Sequence, residues 1–130
     1  MPFAEKFTAA ACAILALRSR LRWKPGSELR HLLKRKSKEH LPPEATVVDY
    51  RPLIRRVLVG PENLVYYYPF REQDYYAVVG EPEGAQGARW LVMFRPDGIL
   101  ETAYPPTDVS DYVRQHCFLL LGRMREVMNE

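Results

Sequence analysis

The residues best equipped to act on a ligand fall in two short stretches, far apart in a chain of 130 residues. The first is SELRHLLKRKSKEH, residues 27–40, where His31, Arg35 and Lys38 recur at helical spacing. One stripe of a helix would then carry an imidazole, a guanidinium and an ammonium group, flanked by Arg30 and Lys34. The second is GILETAY, 98–104, where Thr102 and Tyr104 present two hydroxyls on one side of an extended strand. A histidine exchanges protons near neutrality, cations hold a phosphate, and hydroxyls donate hydrogen bonds to its oxygens. Neighbouring cations also lower a histidine's pKa, which keeps it able to accept a proton near pH 7. Such a set can cleave RNA without metal or cofactor, because the nucleophile is the substrate's own 2′-hydroxyl. Arg89 supplies a further cation for phosphate, and Tyr76, within a Tyr-rich run, a ring able to stack on a base. A second histidine, His40, projects on the helix side that carries Leu29, Leu32 and Leu33, which reads as the core side. Whether His31 or His40 does the chemistry stays open at this level.

Other catalytic signatures are missing. There is no glycine-rich phosphate loop, no paired Cys or His metal spacing and no nucleophile elbow. Cys12 and Cys117 are isolated in apolar helical contexts and read as small core residues. The net charge is only +3 but is unevenly placed: basic residues crowd the segment from Arg18 to Arg56, and acids dominate from Glu62 to Asp111. A basic half suits phosphates or an acidic partner. The apolar run AAACAILAL is too short to span a bilayer, and its basic cluster follows it where a signal peptide's would precede, so a cytoplasmic protein with no membrane partner is expected.

The elements that must position these groups follow from periodicity. Phe7, Ala10, Ile14, Leu17 and Leu21 predict an amphipathic helix over 3–22, broken by WKPG. Ser27 is placed to cap a second helix running to His40, where LPP stops it. A third helix is expected from about Tyr50 to Val59, with Pro52 in its first turn and Gly60-Pro61 ending it. The runs 64–68, 74–80, 89–95 and 98–104 are aromatic and β-branched and are separated by turn residues, which predicts an antiparallel meander with the third strand central. Val109, Tyr112, Val113, His116, Leu120, Met124 and Val127 then predict one closing helix over 108–128. The expected fold is α+β in a single domain: N-terminal helices packed on a roughly four-stranded antiparallel sheet, with a C-terminal helix.

This order of elements resembles the ribonuclease-toxin superfamily that includes barnase, EndoU, colicin D and RelE-type toxins, particularly its compact phage-associated and toxin–antitoxin members. The resemblance rests on His31 with Arg35, on Gly60–Asn63 (GPEN) before Tyr66–Tyr68, and on the Thr102-Ala103-Tyr104 ending. It covers roughly 27–106, leaving 1–26 as an N-terminal helical extension and 107–130 as the closing helix. It implies a helical layer on an antiparallel sheet and a metal-independent endoribonuclease with no cofactor. In that reading His31, Thr102 and Tyr104 are catalytic, while Arg30, Lys34, Arg35, Lys38, Arg89 and Tyr76 bind RNA; a protein inhibitor is a possible partner. The alternative is a non-catalytic module that holds RNA or a component of the host transcription or translation machinery through the basic helices, and a self-associating structural protein is a third reading.

Overall fold

A computed structural model describes residues 3–130. Helix α1, Phe3–Ser19, buries Ala10, Ala13, Ile14 and Leu17 at three- and four-residue steps, so its stripe lies in the same core as the rest of the chain. It stops three residues short of the expected end. The following residues extend instead: Leu100 donates its N–H to the Arg22 carbonyl at 2.8 Å, and Trp23 forms an isolated parallel bridge with Leu100.

Helix α2, Ser27–Ser37, differs from expectation in its cap, its end and its rotation. Gly26 precedes it in a left-handed conformation, φ 76°, which suits a residue without Cβ, and Ser27 is a buried first helical residue that makes no cap. The chain leaves the helix through Glu39 at φ 62°, before His40. Leu29 and Leu33 are 58% and 53% exposed, whereas Leu32 and Arg35 are each only 4% exposed. A bidentate ion pair ties this helix to the next, Arg51 Nε and Nη2 both donating to the Glu28 carboxylate at 2.7 Å. Leu32 and Arg35, one and two turns after Glu28, are the residues that face inward.

Helix α3, Val47–Val59, opens on a capping box in which Val48 N–H donates to Thr46 Oγ1 and Thr46 N–H to Asp49 Oδ2. It starts earlier than expected, so Pro52 lies in its second turn; the carbonyl Pro52 leaves without a partner belongs to Val48, an exposed residue. Tyr50, Leu53, Ile54, Val57 and Leu58 fill the core.

The strands are β1 Leu64–Phe70, β2 Gln73–Gly80, β3 Trp90–Phe94, β4 Leu100–Tyr104 and β5 Leu119–Arg123. They form one antiparallel sheet in the order β4-β3-β2-β1-β5. The first four make the expected meander, and β3, between β2 and β4, is buried at every residue. The fold is thus α+β with one more strand than expected, because the segment 108–128 is not one helix. It divides into α4 Val109–Gln115, β5, and the short α5 Met124–Val127. Cys117 adopts φ 57° at the break, and Phe118 N–H closes the end of α4 on the Val113 carbonyl. Pairing with the open edge of β1 outweighs the local helical period, and Leu119 and Leu120 become half-exposed on the new edge strand. α1, α3 and α5 pack on one face of the sheet, while Val109, Tyr112 and Val113 of α4 cover part of the other.

Asn63 locks the end of α3 to the sheet. Its Nδ2 donates to the Val57 carbonyl at 2.8 Å, and its backbone carbonyl accepts from Met124 N–H at 2.7 Å. A Cβ on Gly60 would lie 2.4 Å from that side chain, and one on Gly80 2.2 Å, so glycine is required at both positions. Cys12 and Cys117, expected in the core, are both exposed thiols. No described helix is long and apolar enough to cross a membrane.

Candidate functional site

Helix α2 lies along the β4 edge of the sheet, and a pocket of about 400 Å³ opens between it and the chain leaving β4. His31, Lys34, Arg35, Lys38 and His40 line one side, with Thr102, Tyr104 and Pro105–Thr107 on the other. Thr102 and Tyr104 do share a face of β4, opposite Met93 and Leu91 respectively, and the strand's end brings both to the pocket. Two stretches seventy residues apart are thereby brought together. No carboxylate lines the pocket.

Arg35 occupies its centre. Its Nη1 sits 3.1 Å from Nδ1 of His40, and its guanidinium carbon lies 5.0 Å from the centroid of the Tyr104 ring, a cation–π contact. Its Nε is buried with no hydrogen-bond partner, and it forms no ion pair with any described residue. Several other arginines of the fold have found an acid: Arg18 pairs with Glu130, Arg51 with Glu28, Arg95 with Asp97 and Arg114 with Asp111. A buried cation without a counter-charge costs several kcal/mol unless something neutralises it. The chemistry that fits is an oxyanion presented from solvent to the guanidinium in the pocket.

Both histidines are biased towards the neutral form. Burial lowers the pKa of His31, and the charges of Arg30, Arg35 and Lys34 lower it further. Burial again comes first for His40, followed by Arg35 and Lys38. Because a guanidinium only donates, His40 Nδ1 accepts from Arg35 and the remaining proton sits on Nε2. His31 stacks on Trp23, with ring centroids 5.1 Å apart, and its Nδ1 is buried without a partner. Tyr104 keeps its proton: burial raises its pKa, as does the nearby Tyr112 hydroxyl.

Not every expected residue is here. Tyr76 is 1% exposed and packs between Tyr67 and Phe94 beneath α1, so it cannot stack on a base. Alternation explains the error, since Tyr76 falls on the helix-covered face of β2. Arg30 is exposed, with Nη2 3.4 Å from Ser27 Oγ, and contributes charge without lining the pocket. Arg89 lies on an adjoining groove that shares His40 and Pro105–Thr107 with the pocket. His116, expected on a buried helix face, is exposed at the end of α4 against Tyr112. Sequence reasoning missed Trp23, the ring behind His31; the WKPG breaker signalled a turn but not that its indole would stand behind the next helix. Placing His40 with the core leucines was also an error, because α2 ends before it and Arg35 holds it in the pocket. Among the described residues no three His, Cys, Asp or Glu side chains converge closely enough to hold a metal ion. No family model, curated protein or solved structure matches this chain.

Proposed function

We propose that this chain is a toxin-like endoribonuclease that cleaves RNA by attack of the 2′-hydroxyl on the adjacent phosphate. The observation that carries the reading is the unneutralised, buried Arg35 guanidinium in a pocket whose other polar side chains are two neutral imidazoles, two ammonium groups and three hydroxyls. A phosphodiester supplies the missing negative charge. The His31 imidazole accepts the 2′-hydroxyl proton as its oxygen bonds to phosphorus. The bond to the 5′-oxygen then breaks, and that oxygen takes up a proton, leaving a 2′,3′-cyclic phosphate and a 5′-hydroxyl. Arg35 stabilises the charge that builds on the phosphorane oxygens, assisted by Lys34 and Lys38. Thr102 and Tyr104 donate hydrogen bonds that orient the phosphate; the raised pKa of Tyr104 suits a donor that does not ionise.

The test is incubation of purified protein with single-stranded RNA in EDTA, with the products resolved by end-group chemistry. Cyclic phosphate is expected, together with a loss of about a hundredfold or more in His31→Ala. The acidic limb of kcat/KM should fall below pH 6.5, because the base must be neutral and its pKa is lowered. Retained cleavage in His31→Ala with loss in His40→Ala would move the base to His40. Salt-sensitive RNA binding without any product would leave a phosphate-holding module in place of an enzyme.

A further inference from the structure

Trp23, whose ring lies 5.1 Å from that of His31, lines a second, larger hollow of about 690 Å³, formed where α1 ends and α2 begins. Arg20, Arg22 and Lys24 line it; the side chains of all three are exposed and none has an ionic partner among the described residues. The two charged groups on its other walls are already neutralised, Glu28 by Arg51 and Arg95 by Asp97. Three free cations therefore face this hollow, three more lie on or just after α2 around the first pocket in Lys34, Arg35 and Lys38, and the Trp23–His31 ring pair stands between the two sets. Alternating side chains on an extended segment would normally scatter their charges, but Arg22 is anchored to β4 through its carbonyl, which fixes the segment that presents Arg20, Arg22 and Lys24 against the edge of the fold.

We propose that a single RNA strand continues from the Arg35 pocket past Trp23 into this hollow, where Arg20, Arg22 and Lys24 hold the flanking phosphates. The inference rests on reading the Arg35 pocket as a phosphate site. A polynucleotide fits better than an acidic polypeptide because an aromatic pair separates the two sets of cations, Trp23 lining the hollow and His31 the first pocket with ring centroids 5.1 Å apart, and rings set beside cations suit bases beside phosphates. The substrate would accordingly be an extended single strand and not a mononucleotide or a rigid duplex end.

The experiment uses fluorescent 2′-O-methyl oligonucleotides, which bind but cannot be cut, with anisotropy measured over a salt series. An octanucleotide is compared with a dinucleoside monophosphate, whose single phosphate cannot fill both hollows. In the variant Arg20→Gln/Arg22→Gln/Lys24→Gln the salt slope for the octanucleotide should fall by about two, from three contacts at roughly 0.7 each. Its advantage over the dinucleoside monophosphate should shrink more than tenfold. Arg20→Glu/Lys24→Glu, which leaves the Arg22 side chain in place, should act in the same direction. An unchanged slope overturns the inference, as does equally tight binding of poly-glutamate of matched length, which would mark the hollow as a seat for an acidic protein. The two readings separate cleanly: a lowered slope with no cleavage of ordinary RNA retains the strand path and removes the nuclease, whereas cleavage with an unchanged slope does the reverse.

Discussion

Arg35 is the residue on which stability and proposed function pull in opposite directions. Folding buries its charge with only an imidazole and an aromatic ring as neighbours, so the fold carries a cost that an apolar side chain would remove. Arg35→Met should raise the thermal midpoint, by about 1 kcal/mol or more of unfolding free energy, while abolishing RNA cleavage and oligonucleotide binding. Calorimetry paired with an activity assay checks this; a Met variant that is both less stable and still active would show that the guanidinium serves packing alone. The spacing of His31 and Arg35 was legible in the chain, as was the pairing of Thr102 with Tyr104. What could not be read was that Arg35 would be buried. The helical projection of 27–40 assigned Leu29, Leu32 and Leu33 to the core, whereas the helix turns Leu32 and Arg35 inward, the rotation in which Glu28 meets Arg51 across twenty-three residues. Long-range ion pairs leave no local mark in a sequence.

At the level of elements, the GPEN phrase acquires a mechanical meaning. Asn63 reaches back with its side chain to the α3 carbonyl of Val57 and fills the space over Gly60 and Gly80, while its backbone carbonyl holds the start of α5, so that one residue joins a helix end, β2 and α5. Gly80→Ala should displace it and destabilise the protein by about 1–3 kcal/mol in denaturant unfolding. Asn63→Ala alone should cost about 1–2 kcal/mol through the lost bond to Val57. The two losses should be less than additive in the double variant, because the methyl then enters space that Asn63 has vacated. Additive losses would mean that the peg and the glycine do not interact. The meander of β1 to β4 was readable because its aromatic and β-branched runs alternate between turn residues. β5 was not, since Leu120, Met124 and Val127 keep a helical period, and only the unpaired edge of β1 decides their segment's fate.

For the whole molecule, the two pocket histidines set a pH dependence of known sign. Both have folded-state pKa values below the ordinary 6.5, so as pH drops through 6.5 the unfolded chain takes up protons first and stability falls. A second decline belongs to Asp74 and Asp97, whose carboxylates are held below the ordinary 3.8 and lose their contribution only in stronger acid. Unfolding midpoints measured from pH 7.5 to 5 should therefore decrease in the wild type and stay nearly level over that window in His31→Gln/His40→Gln. An equal slope in both proteins would locate the effect elsewhere. The sheet also has two unlike borders. The β4 border is occupied by α2 and bridged by Trp23, and there the pocket lies; the β5 border has no such cover, and Leu119 and Leu120 are half-exposed on it. Four strand spacings, about 19 Å at roughly 4.8 Å each, separate them. Any complex built by extending the sheet would grow from β5, at the opposite end from the Arg35 pocket, and would leave that pocket open.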